Sequence, residues 1–202
     1  IKPNAKSPYV THEYNPSSLP IHDIHIDFEN SLSGRVLNEG QPINDAYRNL
    51  GITFDSTPSY ITITSVVIPG TNGKYSATNN KPLYEGAING SFIDPITKNK
   101  LSVNYIAFNL GLIKPDGVKV SLLDDQNNEI SCEVTTAESS QIISFTSKIP
   151  IQRFKISPIS EVNATLAIAD IWFSRPKHKF PLLNKRQKQI ELTNGDIIIC
   201  ND

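Results

Sequence analysis

"EISCEVT", residues 129–135, alternates strictly: Ile130, Cys132 and Val134 fall on one side of an extended chain, and Ser131, Glu133 and Thr135 on the other. Successive side chains of a strand point to opposite faces, so this period predicts a strand with its apolar side toward a core. Working outward, the same texture recurs in "GITF" (51–54), "YITITSVVI" (60–68), "LSVNYIAFNLG" (101–111) and "VKVSLLD" (118–124). "QIISFT" (141–146), "IQRFKIS" (151–157) and "TLAIADIWF" (165–173) complete the series. Turn-forming stretches such as "PDG", "DDQNN" and "SEVN" separate these runs. No window carries a capped apolar stripe at helical spacing, so helices should be scarce. Short strands at this spacing predict an all-β fold, an antiparallel jelly-roll β-sandwich.

The sandwich is assigned to residues 21–174. Residues 1–20 hold four prolines and read as an extended arm or linker. Residues 175–202 read as a basic linker followed by a β-hairpin, because Asn194-Gly195 stands between two alternating runs. The long stretch 69–100 is rich in Gly, Asn, Lys and Tyr, with an internal hairpin expected around "SFIDPITKNKLSV".

Formal net charge is −1, which gives the whole molecule no electrostatic attraction for nucleic acid. The charge is nonetheless uneven: residues 175–190 hold six bases and no acid. No stretch is long and apolar enough for a membrane span. The chain starts at Ile1 and contains no Met, as a removed export signal or a chain boundary would leave it. Cys132 and Cys200 are the two cysteines; they form a bridge in an oxidising compartment or remain free thiols.

Catalytic signatures are missing. There is no nucleophile elbow, no paired-histidine zinc motif, no Rossmann glycine pattern, and "GTNGKY" lacks P-loop spacing. His22 and His25 fall on opposite faces of an extended chain, which argues against a metal pair. Asp27 and Glu29, two apart in "HIDFEN", would share one strand face about 7 Å apart. That spacing permits acid–base work, but no aromatic-lined cleft accompanies it, and the expectation is a protein that is not an enzyme. Asp170 interrupts the apolar "LAIADIWF", so it needs a cation, a hydrogen-bond partner or an exposed edge. Carboxylates and loop carbonyls are the ligands calcium takes.

"HIDFEN", "AYRNLGITF" (46–54), "YIAFNLG", "GVKVSLLDDQNNEI" and "AIADIWFS" resemble secreted bacterial jelly-roll domains of the galactose-binding-like group, which includes carbohydrate-binding modules. The resemblance spans about residues 22–174. It implies a secreted or cell-surface location and a structural calcium ion held by Glu29 and Asp170, which occupy the matching places. Two functions are expected. The first is a non-catalytic carbohydrate-binding or adhesion module whose partner is a glycan or cell-surface polysaccharide. Tyr75, Asn79, Asn80 and Tyr84 of the long loop supply the aromatic faces and amides that sugar sites use. Trp172, the sole Trp, is expected in or at the edge of the sandwich. The second function is a structural subunit of a surface assembly, self-associating through residues 1–20 and 175–202 by adding strands to a neighbour's sheet.

Overall fold

A computed structural model of the chain describes residues 8–18, 23–29, 37–55, 61–65, 76–79, 86–113, 117–135, 139–159, 166–178, 187–191 and 197–201, with backbone alone at 112–113, 139, 187–191 and 197–201. Among these residues the structure is β throughout, apart from one 3-10 turn at Arg48–Leu50 that Gly51 closes at φ 85°.

The larger sheet runs β1 (Val10–Tyr14), β10 (Ser139–Ile151), β7 (Val103–Ile113), β12 (Ala167–Phe173), β5 (Ser76–Asn79) and β4 (Ile61–Thr64). β2 (Ile24–Ile26) pairs with β12 at the opposite end from β5. The smaller sheet runs β3 (Ile52–Phe54), β6 (Ile88–Phe92), β11 (Arg153–Pro158), β8 (Val118–Leu123) and β9 (Glu129–Thr135). Every pairing is antiparallel and the chain crosses repeatedly between the sheets, as a jelly-roll sandwich requires. β13 (Gln187–Glu191) and β14 (Ile197–Asn201) form the expected C-terminal hairpin, its connection at 192–196 lying outside the described residues.

Phenylalanines fill the space between the layers. Phe154 lies 5.0 Å from Phe108, 6.3 Å from Phe54 and 6.5 Å from Phe92, ring centre to ring centre, and all four are buried. Each such side chain contributes roughly 1.5–3 kcal/mol by leaving water. Gln152, 2% exposed, is the single residue between β10 and β11, where the chain passes from one sheet to the other. Its backbone and side-chain amides donate to the carbonyls of Leu123 and Phe92, which ties the crossover to the ends of β8 and β6.

Several local expectations change in the fold. Part of the N-terminal arm is structured: β1 pairs with β10 along all five of its residues. The alternation of "EISCEVT" does give a strand, but a register shift at Ile130 resets its faces: Ile130 packs against the core as expected, and Val134 does not. Glu133 and Thr135 stand opposite Val120 and Val118, whose side chains are fully buried, while Val134 is 46% exposed. The reason is position: β9 is an edge strand, and its inner side is met by β1 of the other sheet. His12 Nδ1 lies 3.1 Å from Glu133 Oε1, and the Tyr14 hydroxyl donates to the Val134 carbonyl at 3.1 Å. Burial and the Glu133 charge raise the Tyr14 hydroxyl above its ordinary pKa. A polar clasp therefore closes the Glu133 end of this edge strand.

The strand carrying Asp27 and Glu29 also ends sooner than the alternation implies. β2 stops at Ile26, and Phe28 takes φ 61°, the left-handed region. The Glu29 amide donates to Asp27 Oδ1 at 3.0 Å, a turn closed by the aspartate itself. The two carboxylates are therefore not same-face strand neighbours. Cys132 of β9 is a free thiol, and the side chain of Cys200 lies outside the described residues.

Candidate functional site

An open cleft of about 480 Å³ lies beside β3. Three pieces of chain build it. Residues 44–50 lead into β3 and are tied to its far end, because the Phe54 amide donates to the Asn44 carbonyl and Asn44 Nδ2 donates to the Phe54 carbonyl. β3 itself supplies Thr53, with Asp55 just beyond its end. The third piece is the hairpin turn after β6, which contributes Ile93 and Lys98.

Ion pairs hold the charged groups of this cleft in place. Arg48 Nη2 donates to Asp45 Oδ1 at 2.8 Å, and Arg153 Nη2 of β11 donates to Asp55 Oδ2 at 2.7 Å. Arg153 also reaches Asn127 Oδ1 at 3.3 Å. These side chains are one-third to two-thirds exposed, so each pair contributes orientation more than stability. Arg48 Nε is shielded from solvent and makes no hydrogen bond, which leaves one donor of its fork unused.

The turn that forms the third wall is rigid. Ile93 bridges Lys100, the Asp94 amide donates to the Asn99 carbonyl and the Lys98 amide to the Asp94 carbonyl. Asp94 Oδ1 accepts from the amides of Ile96 and Thr97 at 2.9 and 2.7 Å. Those backbone donors, Thr97 first, hold the Asp94 carboxyl below its ordinary range, so it stays ionised and the turn stays closed. This is the hairpin expected within "SFIDPITKNKLSV".

A second cluster lies on the outer face of the larger sheet. In β12 the register slips between Ile168 and Asp170, which makes Ala169 the extra residue of a bulge. The bulge lets Ile168, Ile171 and Phe173 all reach the core and turns Asp170 and Trp172 outward. Asp170 Oδ1 accepts from His25 Nε2 at 2.9 Å, and Oδ2 accepts from Asn109 Nδ2 at 3.1 Å. The His25 ring stacks on Trp172 with centres 5.0 Å apart and planes 7° from parallel. Trp172 lies against Tyr105 and Ala107 and is 9% exposed, so it packs outside the sandwich interior.

The sequence-selected residues are placed as follows. Tyr75, Asn80 and Tyr84 lie outside the described residues. Asn79 is buried in β5 and donates to the Ala87 carbonyl at 2.9 Å, which ties the end of β5 to the residue before β6. Glu29 sits on the turn after β2. With Asp27 and burial, burial being the larger cause, it raises the Tyr47 hydroxyl well above the ordinary tyrosine range. Asp170 has His25 and Asn109 as partners, and no group of three or more His, Cys, Asp or Glu side chains gathers to hold a metal among the described residues. Nothing in the sequence singles out Asp45, Arg48 and Asp55. They flank a legible strand, but nothing in "INDAYRNLGITFD" announces that Arg153, a hundred residues away in rough terms, pairs with Asp55.

No protein-family model and no curated protein matches the chain. Among solved structures it is similar to the enzymatically active domain of bacteriophage CBA120 tailspike protein 4, with a TM-score of 0.37 and 14% identity. The match covers 68% of this chain and 21% of that one, so it spans about a fifth of the tailspike domain. No helix among the described residues is long and apolar enough to cross a membrane.

Proposed function

We propose that the protein is a non-catalytic carbohydrate-binding module acting outside the cell, with the cleft beside β3 as its sugar site. The observation that carries this reading is the set of planar polar side chains, Asn44, Asp45, Arg48 and Asp55, fixed around one open cleft by ion pairs and backbone hydrogen bonds. Carboxylates, amides and guanidinium groups meet pairs of sugar hydroxyls through several hydrogen bonds at once. Fixing them beforehand reduces the entropy lost on binding. The cleft falls within the 300–1,000 Å³ range typical of small-ligand pockets. Phe54 lines it but is 3% exposed, so recognition rests on hydrogen bonds and not on a broad stacking platform.

A glycan array followed by an NMR titration tests this. Bound saccharide should shift the amides of residues 44–55 and 93–98. Asp45→Ala should weaken binding about fivefold to tenfold, the worth of one or two lost hydrogen bonds. Glu13→Gln, on β1 of the other sheet, should leave affinity unchanged. Shifts confined to other surfaces would move the site elsewhere, and a blank array would remove the function.

The second reading, a subunit of a surface assembly, has its own observation. Among the described residues β13 and β14 pair only with each other. An isolated two-stranded hairpin is at best marginally stable in water, so this one gains from joining another sheet. Removing residues 175–202 should then convert an oligomer into a monomer in a sizing measurement.

Calcium shared by Glu29 and Asp170 is a separate proposal, in which the ion shares the Asp170 oxygens with His25 and Asn109. Adding calcium should raise the melting temperature, since an ion that binds only the folded state stabilises it by about 2.7 kcal/mol at a hundredfold excess over Kd. Asp170→Asn should abolish most of that gain, and an unchanged melting temperature in the parent protein would dispose of the ion.

A further inference from the structure

We infer that the cleft beside β3 selects acidic saccharides, with the ammonium of Lys98 meeting a sugar carboxylate. This rests on the sugar-site reading above and adds the class of sugar. Both carboxylates that line the cleft are already neutralised locally: Asp45 by Arg48, and Asp55 by Arg153. Asp94, in the same turn as Lys98, directs one oxygen to the amides of Ile96 and Thr97 and has the other 3.9 Å from His178 Nε2. Among the described residues no carboxylate lies within ion-pair distance of the Lys98 ammonium. Among the residues that line the cleft, Lys98 is therefore the charged side chain without an ion-pair partner, beside hydroxyl-binding groups that are paired among themselves.

The backbone reinforces the point. Lys98 takes φ 62°, a left-handed conformation that Gly or Asn adopts with less strain. The Asp94 turn holds this residue against the cleft wall, so the Lys98 Cα is fixed where the turn sets it while the side chain lines the cavity. A neutral sugar hydroxyl accepts a hydrogen bond from that ammonium but brings no opposite charge. A carboxylate gains a charge-assisted hydrogen bond.

The left-handed φ also dictates the test, because an alanine at 98 would add backbone strain to the loss of charge. Lys98→Asn tolerates the conformation and removes the charge; Lys98→Arg keeps the charge. The probes are uronic-acid oligosaccharides and their methyl esters, which present the same ring without the negative charge, together with neutral glucose and galactose oligomers. Binding is followed by titration calorimetry and by NMR shifts at residues 44–55 and 93–98. Free acids should bind about tenfold more tightly than their esters, the worth of one charge-assisted bond. Lys98→Asn should erase that preference by weakening the acids more than the esters, and Lys98→Arg should retain it. Added salt should weaken the acids and not the esters. Esters or neutral oligomers that bind the cleft as well as the acids would overturn the selectivity and leave the sugar site standing. An acid preference that survives Lys98→Asn would overturn the assignment to Lys98. Failure of every probe to shift the cleft residues would overturn both the selectivity and the site.

Discussion

Gly90→Ala should cost about 3 kcal/mol and lower the melting temperature by about 10 °C. Gly90 lies in the middle of β6, between Phe54 of β3 and Phe154 of β11 in the ladder. A Cβ there would sit 2.3 Å from Cζ and 2.5 Å from Cε1 of Phe154. These are atoms of a buried ring that is itself confined by Phe54, Phe92 and Phe108. The ring occupies the space an ordinary strand residue would fill, and it cannot swing away without displacing its neighbours. The glycine is therefore needed for close approach, not for an unusual backbone angle. Combining Gly90→Ala with Phe154→Leu should recover part of the loss, because a smaller side chain vacates the contested volume. Residues in contact couple by about 0.5–3 kcal/mol in such cycles. Thermal and urea melts of the two single variants and the double variant measure this. A Gly90→Ala protein within about 0.5 kcal/mol of the parent, or a double variant with strictly additive losses, would refute the packing account.

That glycine also shows where local sequence stops being informative. Asn89-Gly90 is the same dipeptide as Asn194-Gly195, which marks a hairpin between β13 and β14. In β6 it stands mid-strand, and the reason is a phenylalanine in another strand of the sheet. Most of the strands were legible because period two depends only on neighbours along the chain; β1 and β5, inside the expected arm and the long loop, were not. "GITF", "VKVSLLD", "EISCEVT", "IQRFKIS" and the others each hold a strand of the structure. Which face turns inward was less legible. In β9 the inner side is polar at Glu133, where His12 of β1 arrives, while a register shift keeps Ile130 on the core. In β12 a bulge at Ala169 resets the alternation, which is why Asp170 could look like an acid buried in an apolar run. The cleft was less legible still: Asp45, Arg48, Asp55, Lys98 and Arg153 come from four separate segments, and their pairing is set by sheet topology.

Phe28→Ala should be the other large loss, about 3–5 kcal/mol, the usual range for emptying a buried phenylalanine site. Phe28 is fully buried, edge-on to Tyr47 at 5.7 Å and 6.2 Å from Phe54, ring centre to ring centre. It reaches that place only because its backbone leaves the strand conformation for φ 61° directly after β2. A non-glycine residue there carries a conformational cost of about 1–2 kcal/mol, which the buried ring offsets. Comparing alanine with glycine at this position separates the two contributions. At an ordinary strand site glycine is the worse substitution by roughly 0.5–1 kcal/mol, since it has more freedom to lose on folding. At φ 61° the order should reverse or vanish: Phe28→Gly loses the ring but also sheds the left-handed strain that Phe28→Ala retains. Urea denaturation of both variants reads the difference. If alanine costs less than about 1 kcal/mol, the ring is not a core anchor. If glycine proves clearly worse than alanine, the turn joining Asp27 to Glu29 does not hold Phe28 in the left-handed region.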